Sequence, residues 1–98
     1  MSVIRHVMFH GRVQGVGFRA FVEDAASARG LEGWVRNRRS GSVEGVLSGE
    51  AADVDAVIEA CRKGPPPARV DRIDQREATT SELALRGSST FGILATVL

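Results

Sequence analysis

Seven residues, Gly11 to Gly17, separate two hydrophobic periods that no single element can carry. Upstream, Val3 to His10 alternates with period two, placing Val3, Arg5, Val7 and Phe9 against Ile4, His6, Met8 and His10. Apolar groups on both faces predict a strand well inside a sheet. Downstream, Phe18, Phe21, Val22, Ala25 and Ala26 recur at helical spacing, and Gly30 stands where a left-handed C-terminal cap belongs. This predicts a helix over 18–29. The chain therefore turns from strand to helix inside a glycine-rich loop.

The remaining elements follow from the same periods. Trp34 to Arg39 and Ser42 to Ser48 are short runs joined at Ser40-Gly41, the pattern of a β-hairpin. Val54, Val57, Ile58 and Cys61 share one helical face within 50–63, and Gly64 followed by Pro65, Pro66 and Pro67 stops that helix. Arg69 to Glu77 predicts a fourth strand with Val70 and Ile73 as its apolar residues, and Phe91 to Leu98 a final one. Residues 78–90, rich in Ser and Thr, are expected to be loop. The order βαββαβ plus a terminal strand is a split βαβ repeat of the α+β class. It predicts a ferredoxin-like sandwich, an antiparallel sheet with two helices on one face. With 98 residues and no linker or internal repeat, residues 1–98 are expected to form a single domain around one core.

Charge narrows the choice of ligand. The net charge is +1, but residues 1–41 carry +4 and the remainder −3. A modest positive half suits a small anion better than a nucleic acid. Trp34 and four phenylalanines are too few and too scattered for a base-stacking platform. No apolar stretch approaches the ~20 residues of a membrane span, and Arg5 and His6 interrupt the first apolar run before it can serve as a signal-peptide core. Neither nucleic acid nor membrane is expected as a partner. One cysteine, Cys61, excludes an internal disulfide and a Cys-rich zinc site, and its apolar helix face marks it as core. The expected setting is a reducing one, the cytoplasm. His6 and His10 share a strand face but lack a third ligand, so no metal site and no cofactor are expected.

The loop itself, Gly11-Arg12-Val13-Gln14-Gly15-Val16-Gly17-Phe18-Arg19, carries the chemistry. At a strand-to-helix junction the first backbone N–H groups have no intrahelical partners, and the helix dipole presents its positive end. Gly15 and Gly17 allow successive N–H groups to converge on one centre, the geometry that holds phosphate or sulfate. Arg19 adds a permanent charge and a bidentate fork. A Walker A loop is excluded, since no lysine precedes Lys63, and Ala20 stands where a dinucleotide fingerprint needs its third glycine. Taken alone, these residues leave open a plain glycine turn with Arg19 solvated. On the hairpin, Asn37 falls on the same alternation as Val35, and its amide can both donate to and accept from a water. Taken alone, it is equally a turn residue.

Together the two stretches resemble the two signatures of the acylphosphatase family. Phe9 to Arg19 follows aliphatic-x-Gly-x-Val-Gln-Gly-Val-x-Phe/Met-Arg, with Phe9 in the aliphatic place. Gly33 to Gly49 follows Gly-aromatic-Val-basic-Asn, three residues, Gly-x-Val, five residues, Gly. The resemblance implies a small stand-alone hydrolase that cleaves the carboxyl–phosphate anhydride of acyl phosphates without metal or covalent intermediate. It implies that Arg19 holds the phosphoryl oxygens and Asn37 orients the attacking water. Backbone N–H groups of Gln14, Gly15, Val16, Gly17 and Phe18 would complete the cradle. The implied partners are a small acyl phosphate and, as competing anions, inorganic phosphate or sulfate, with the protein a monomer.

Two departures stand out: Ser40 where the family often has Asp, and no basic residue in 91–98. One alternative is a non-catalytic anion-binding module of the same fold, which would need Arg19 but not Asn37. A carbamoyl-phosphate-handling domain, as in hydrogenase-maturation carbamoyltransferases, would find nothing in 98 residues to receive the carbamoyl group.

Overall fold

The computed structural model describes residues 1–97. The elements are β1 (Ser2–Arg12), α1 (Phe18–Ala28), β2 (Glu32–Asn37), β3 (Val43–Glu50), α2 (Ala51–Lys63), β4 (Arg69–Glu77), α3 (Thr80–Leu83), a 3₁₀ turn (Ala84–Arg86) and β5 (Phe91–Ile93). They build one five-stranded sheet in the order β4-β1-β3-β2-β5. The interior placement expected of the first strand holds, because β1 lies between β3 and β4. Helices α1 and α2 cover one face, in the expected sandwich. Val7, Phe9, Val35, Val43 and Leu47 from the sheet pack there against Phe18, Val22, Ala26, Val54, Val57, Ile58 and Cys61 from the helices. Phe9 and Phe18 meet edge to face with ring centroids 5.0 Å apart, fastening the start of α1 to β1.

Three expectations need correction. The sheet is mixed rather than antiparallel: β4, β1, β3 and β2 alternate in direction, whereas β5 runs parallel to β2. The cause is parity. β4 runs opposite to β2, and the chain crosses from one sheet edge to the other and reverses before β5 begins, so β5 shares the direction of β2. The regular strand also ends at Ile93, although the backbone continues beside β2, with Leu94 N–H donating to Val35 O and Arg38 bridging to Val97. Leu98, the last residue of the expected strand, lies outside the described residues.

The third correction concerns 78–90, which contains a helical turn. Thr79 and Glu82 form a reciprocal capping box that starts α3. This segment covers the sheet face opposite α1 and α2, where the buried Trp34 indole donates to Glu82 O at 2.7 Å.

Close packing around β2 leaves one glycine no alternative. Gly33 has φ +150°, and a Cβ built there would sit 1.9 Å from the Val46 carbonyl oxygen. Gly45, in the neighbouring strand, would place a Cβ no closer than 3.4 Å to any atom. Gly33→Ala is expected to destabilise the protein by about 2–4 kcal/mol, from overpacking and an unfavourable backbone conformation together. Gly45→Ala is expected to stay within about 1 kcal/mol of the parent. Urea unfolding of both variants checks this, and equal stability of the two would contradict the close approach at Gly33.

Candidate active site

The ladder that forms the sheet also assembles the site. Phe9 pairs with Val43 and Val43 with Asn37, so these three residues form one row across β1, β3 and β2. At the ~4.8 Å spacing of neighbouring strands, Asn37 lies about 10 Å from the point where β1 approaches the glycine loop. The parallel directions of β1 and β2 put both motifs at the same end of the sheet.

Within the loop, Val13 is buried and Val16 packs against the core, which pins the backbone between them. Gly17 is the N-cap of α1 with φ +81°, a left-handed conformation, and no side chain caps the helix. The first intrahelical donor is Phe21, whose N–H bonds to Gly17 O at 3.1 Å. The N–H groups of Phe18, Arg19 and Ala20 thus have no partner within the helix. No acidic residue occupies its first turn to compete for them.

These groups open onto a cleft of about 220 Å³ lined by Val13, Gly15, Gly17, Phe18, Arg19, Ala20 and Ile93. The Arg19 side chain, half-buried, makes no hydrogen bond or ion pair among the described residues. Phe18 is itself buried in the core.

Not every expected residue lies in this cleft. Asn37 is outside the lining residues, half-buried at the end of β2. Its Oδ1 is buried with no hydrogen-bond partner among the described residues. A buried acceptor left unpaired by the protein is rare in folded chains. The expectation for Gln14 concerned its backbone N–H; its side chain turns to the hairpin, and Nε2 donates to the carbonyls of Arg38 and Ser42, each at 2.8 Å. One amide therefore ties the loop to the turn that follows Asn37. From the other side, Val97 N–H donates to Asn37 O at 3.3 Å and Arg39 N–H to Val97 O at 3.0 Å. Ser40 meets Ser42 hydroxyl to hydroxyl at 2.8 Å within the turn.

A charge cluster holds the same hairpin on the opposite sheet face. Glu44 Oε1 accepts from Arg36 Nε at 2.7 Å and from Arg38 Nη1 at 3.2 Å, while Oε2 lies 2.7 Å from His6 Nε2. Both residues flanking Asn37 are thereby fixed to one buried carboxylate. Burial alone pushes the Glu44 carboxyl up. Hydrogen bonds to His6 and Arg36, with the charges of Arg36 and Arg38, outweigh burial and hold its pKa below the ordinary value.

Other candidates fall away from the cleft. His10 is held by Asp74 at 3.0 Å and Arg72 at 3.3 Å. Burial pushes the Cys61 thiol up to about 12, too high for a thiolate nucleophile near neutrality. Among the described residues, no three His, Cys, Asp or Glu side chains are grouped to hold a metal ion. No helix among them is long and apolar enough to cross a membrane.

Sequence reasoning missed Ile93 as a cleft residue, the strut role of the Gln14 side chain and the Glu44 cluster. The first depends on where β5 docks. The other two had a local trace, a polar side chain within an otherwise apolar or glycine-rich stretch.

The acylphosphatase family profile matches residues 5–91. An acylphosphatase of Bradyrhizobium diazoefficiens is 52% identical over 95 residues, 96% of each chain. The crystal structure of acylphosphatase from Bacillus subtilis matches with a TM-score of 0.82 and 37% identity, over 96% of this chain and 99% of that one. A full-length HypF in its phosphate- and nucleotide-bound form matches with a TM-score of 0.83 and 31% identity, covering 98% of this chain and 12% of that one.

The Glu44 cluster yields a pH dependence. A carboxyl whose pKa is lower folded than unfolded stabilises the fold above the unfolded value, here about 4.5, and that contribution is lost as pH falls through the folded value. The stability difference between the parent and Glu44→Gln, measured by urea unfolding, is expected to be larger at pH 7 than at pH 3. An equal difference at both pH values would show that the Glu44 charge contributes nothing.

Proposed function

The chain belongs to the acylphosphatase family, and on that premise we propose that the 14–18 backbone and Arg19 bind the phosphoryl group while Asn37 orients the attacking water. The protein is a hydrolase of acyl phosphates, which it cleaves to a carboxylate and phosphate. The new bond forms between the water oxygen and phosphorus, the bond from phosphorus to the acyl oxygen breaks, and the carboxylate leaves with its electron pair. The water proton passes to a phosphate oxygen, since among the described residues no free carboxylate or imidazole is in hydrogen-bond contact with Asn37. The leaving group is already good, so positioning and charge stabilisation carry the reaction.

One observation carries this reading: α1 starts at an uncapped Gly17, with free N–H groups and an unpartnered Arg19 opening on one cleft. The orphaned Asn37 Oδ1 supports a donor arriving there, which favours catalysis over a non-catalytic anion-binding module. The proposed reaction uses neither a metal ion nor a cofactor, because positioning and charge stabilisation suffice for a good leaving group. Inorganic phosphate and sulfate compete for the same loop. Residues 1–98 act as one domain and as a monomer. The lone cysteine supports the cytoplasm as its setting.

Phosphate release from an acyl phosphate by the purified protein is expected to persist in excess EDTA. Abolition by the chelator with rescue by a divalent cation would overturn the mechanism at its base.

Arg19 and Asn37 are expected to fail differently. Arg19→Ala should weaken both inhibition by phosphate and turnover, and Arg19→Lys should restore neither fully, because an ammonium cannot reproduce the guanidinium fork. Asn37→Ala should lower kcat by about 10²–10³ while phosphate inhibition stays near the parent level. A folded Asn37→Ala protein with parental turnover would remove Asn37 from the reaction and return the binding-module reading.

A further inference from the structure

Ile93 ends β5 with its side chain 42% exposed, and it lines the same cleft as Gly15, Gly17 and Arg19. Nothing in the phosphate cradle uses it. Its exposure is unusual here, because the only other large apolar residues this open among those described are Met1 and Leu85, neither of which lines the cleft. The rest of the lining offers little apolar side-chain surface: Val13 and Phe18 are each 1% exposed, two residues are glycine, Arg19 is charged and Ala20 is small.

The acyl carbon of an acyl phosphate is two bonds from phosphorus. Once the phosphoryl group sits on the loop N–H groups and Arg19, the acyl substituent must lie against whatever else lines the cleft. We propose that Ile93 is a specificity-determining residue that packs against the acyl group and selects acyl phosphates with an apolar, aliphatic or aromatic, acyl part. This deepens the proposed function and rests on it. Burying apolar surface favours binding in proportion to the area covered, and an acyl group without such surface gains nothing from Ile93. The position of Ile93 is set by parallel pairing of β5 with β2, opposite Val35, so the contact surface is built on the sheet rather than on a loop.

The test compares kcat/KM for benzoyl phosphate with that for acetyl phosphate in the parent, in Ile93→Val and in Ile93→Ala. Comparing that ratio between the parent and each variant cancels the difference in leaving-group chemistry between the two substrates. The ratio is expected to fall about two-fold in Ile93→Val and about five- to ten-fold in Ile93→Ala, through KM rather than kcat. Inhibition by inorganic phosphate should stay within about two-fold of the parent, which also reports that the cradle is folded. Ile93→Val removes one methylene and keeps the β-branch, so it preserves the strand.

A parent active on both substrates whose ratio neither variant moves would overturn this inference alone. Loss of phosphate inhibition in step with the ratio would assign Ile93 to the cradle and also overturn it. A parent that hydrolyses neither substrate would overturn the proposed function and the inference with it.

Discussion

The row Phe9–Val43–Asn37 is the constraint on which the site depends. Backbone hydrogen bonds across three strands set the separation between the loop end of β1 and the hairpin end of β2, with no side chain involved in the spacing. A one-residue slip of β2 on β3 would turn Asn37 to the other face, and one of β1 on β3 would displace the loop from it. The core resists both, since Val35 would leave the helix-covered face in the first case and Val7 and Phe9 in the second. Site geometry is thus insured by the same burial that stabilises the fold. The Gln14 amide then joins the two motifs across the remaining gap, where each hydrogen bond contributes about 1 kcal/mol and also fixes direction.

The two sheet ends and faces distribute polar groups unevenly. On the face away from α1 and α2, charges find partners: Glu44 with His6, Arg36 and Arg38, Asp74 with His10 and Arg72, and Glu82 with Arg76. At the start of α1 and the end of β2 the pattern reverses, and the α1 N–H groups, the Arg19 guanidinium and Asn37 Oδ1 lack protein partners among the described residues. Under the proposed reaction these groups would meet the substrate without first giving up a protein partner. The paired face supplies rigidity to Arg36 and Arg38, and through them to Asn37 between them.

Local periodicity made most of this legible. Val3 to His10 and Phe18 to Ala26 declared a strand and a helix, and the glycines between them declared the loop, because each of these signals acts within a few residues. Arg69 to Glu77 was readable to the residue. Thr79 to Glu82 carried a readable signal too, a capping box hidden in a stretch whose Ser and Thr content suggested loop. The parallel docking of β5 had no local trace, since it follows from the direction of β4 and the crossing between edges. For the same reason Ile93 could not be placed in the cleft from its neighbours. Gln14 showed a related limit: its motif position was clear, but which carbonyls its amide would reach depended on the fold of the hairpin.

The edges of the sheet have a consequence of another kind. β4 forms one edge, and six of its nine residues are charged, with both signs interspersed from Arg69 to Glu77. β5 forms the other and spans only Phe91 to Ile93. A strand from a second molecule that tried to extend the sheet would meet alternating charge on one side and too short a ladder on the other. Growth of the sheet into a continuous cross-β stack is therefore disfavoured at both borders. The strands with more than one valine, β1 and β3, are interior ones, so both of their backbone edges are already paired.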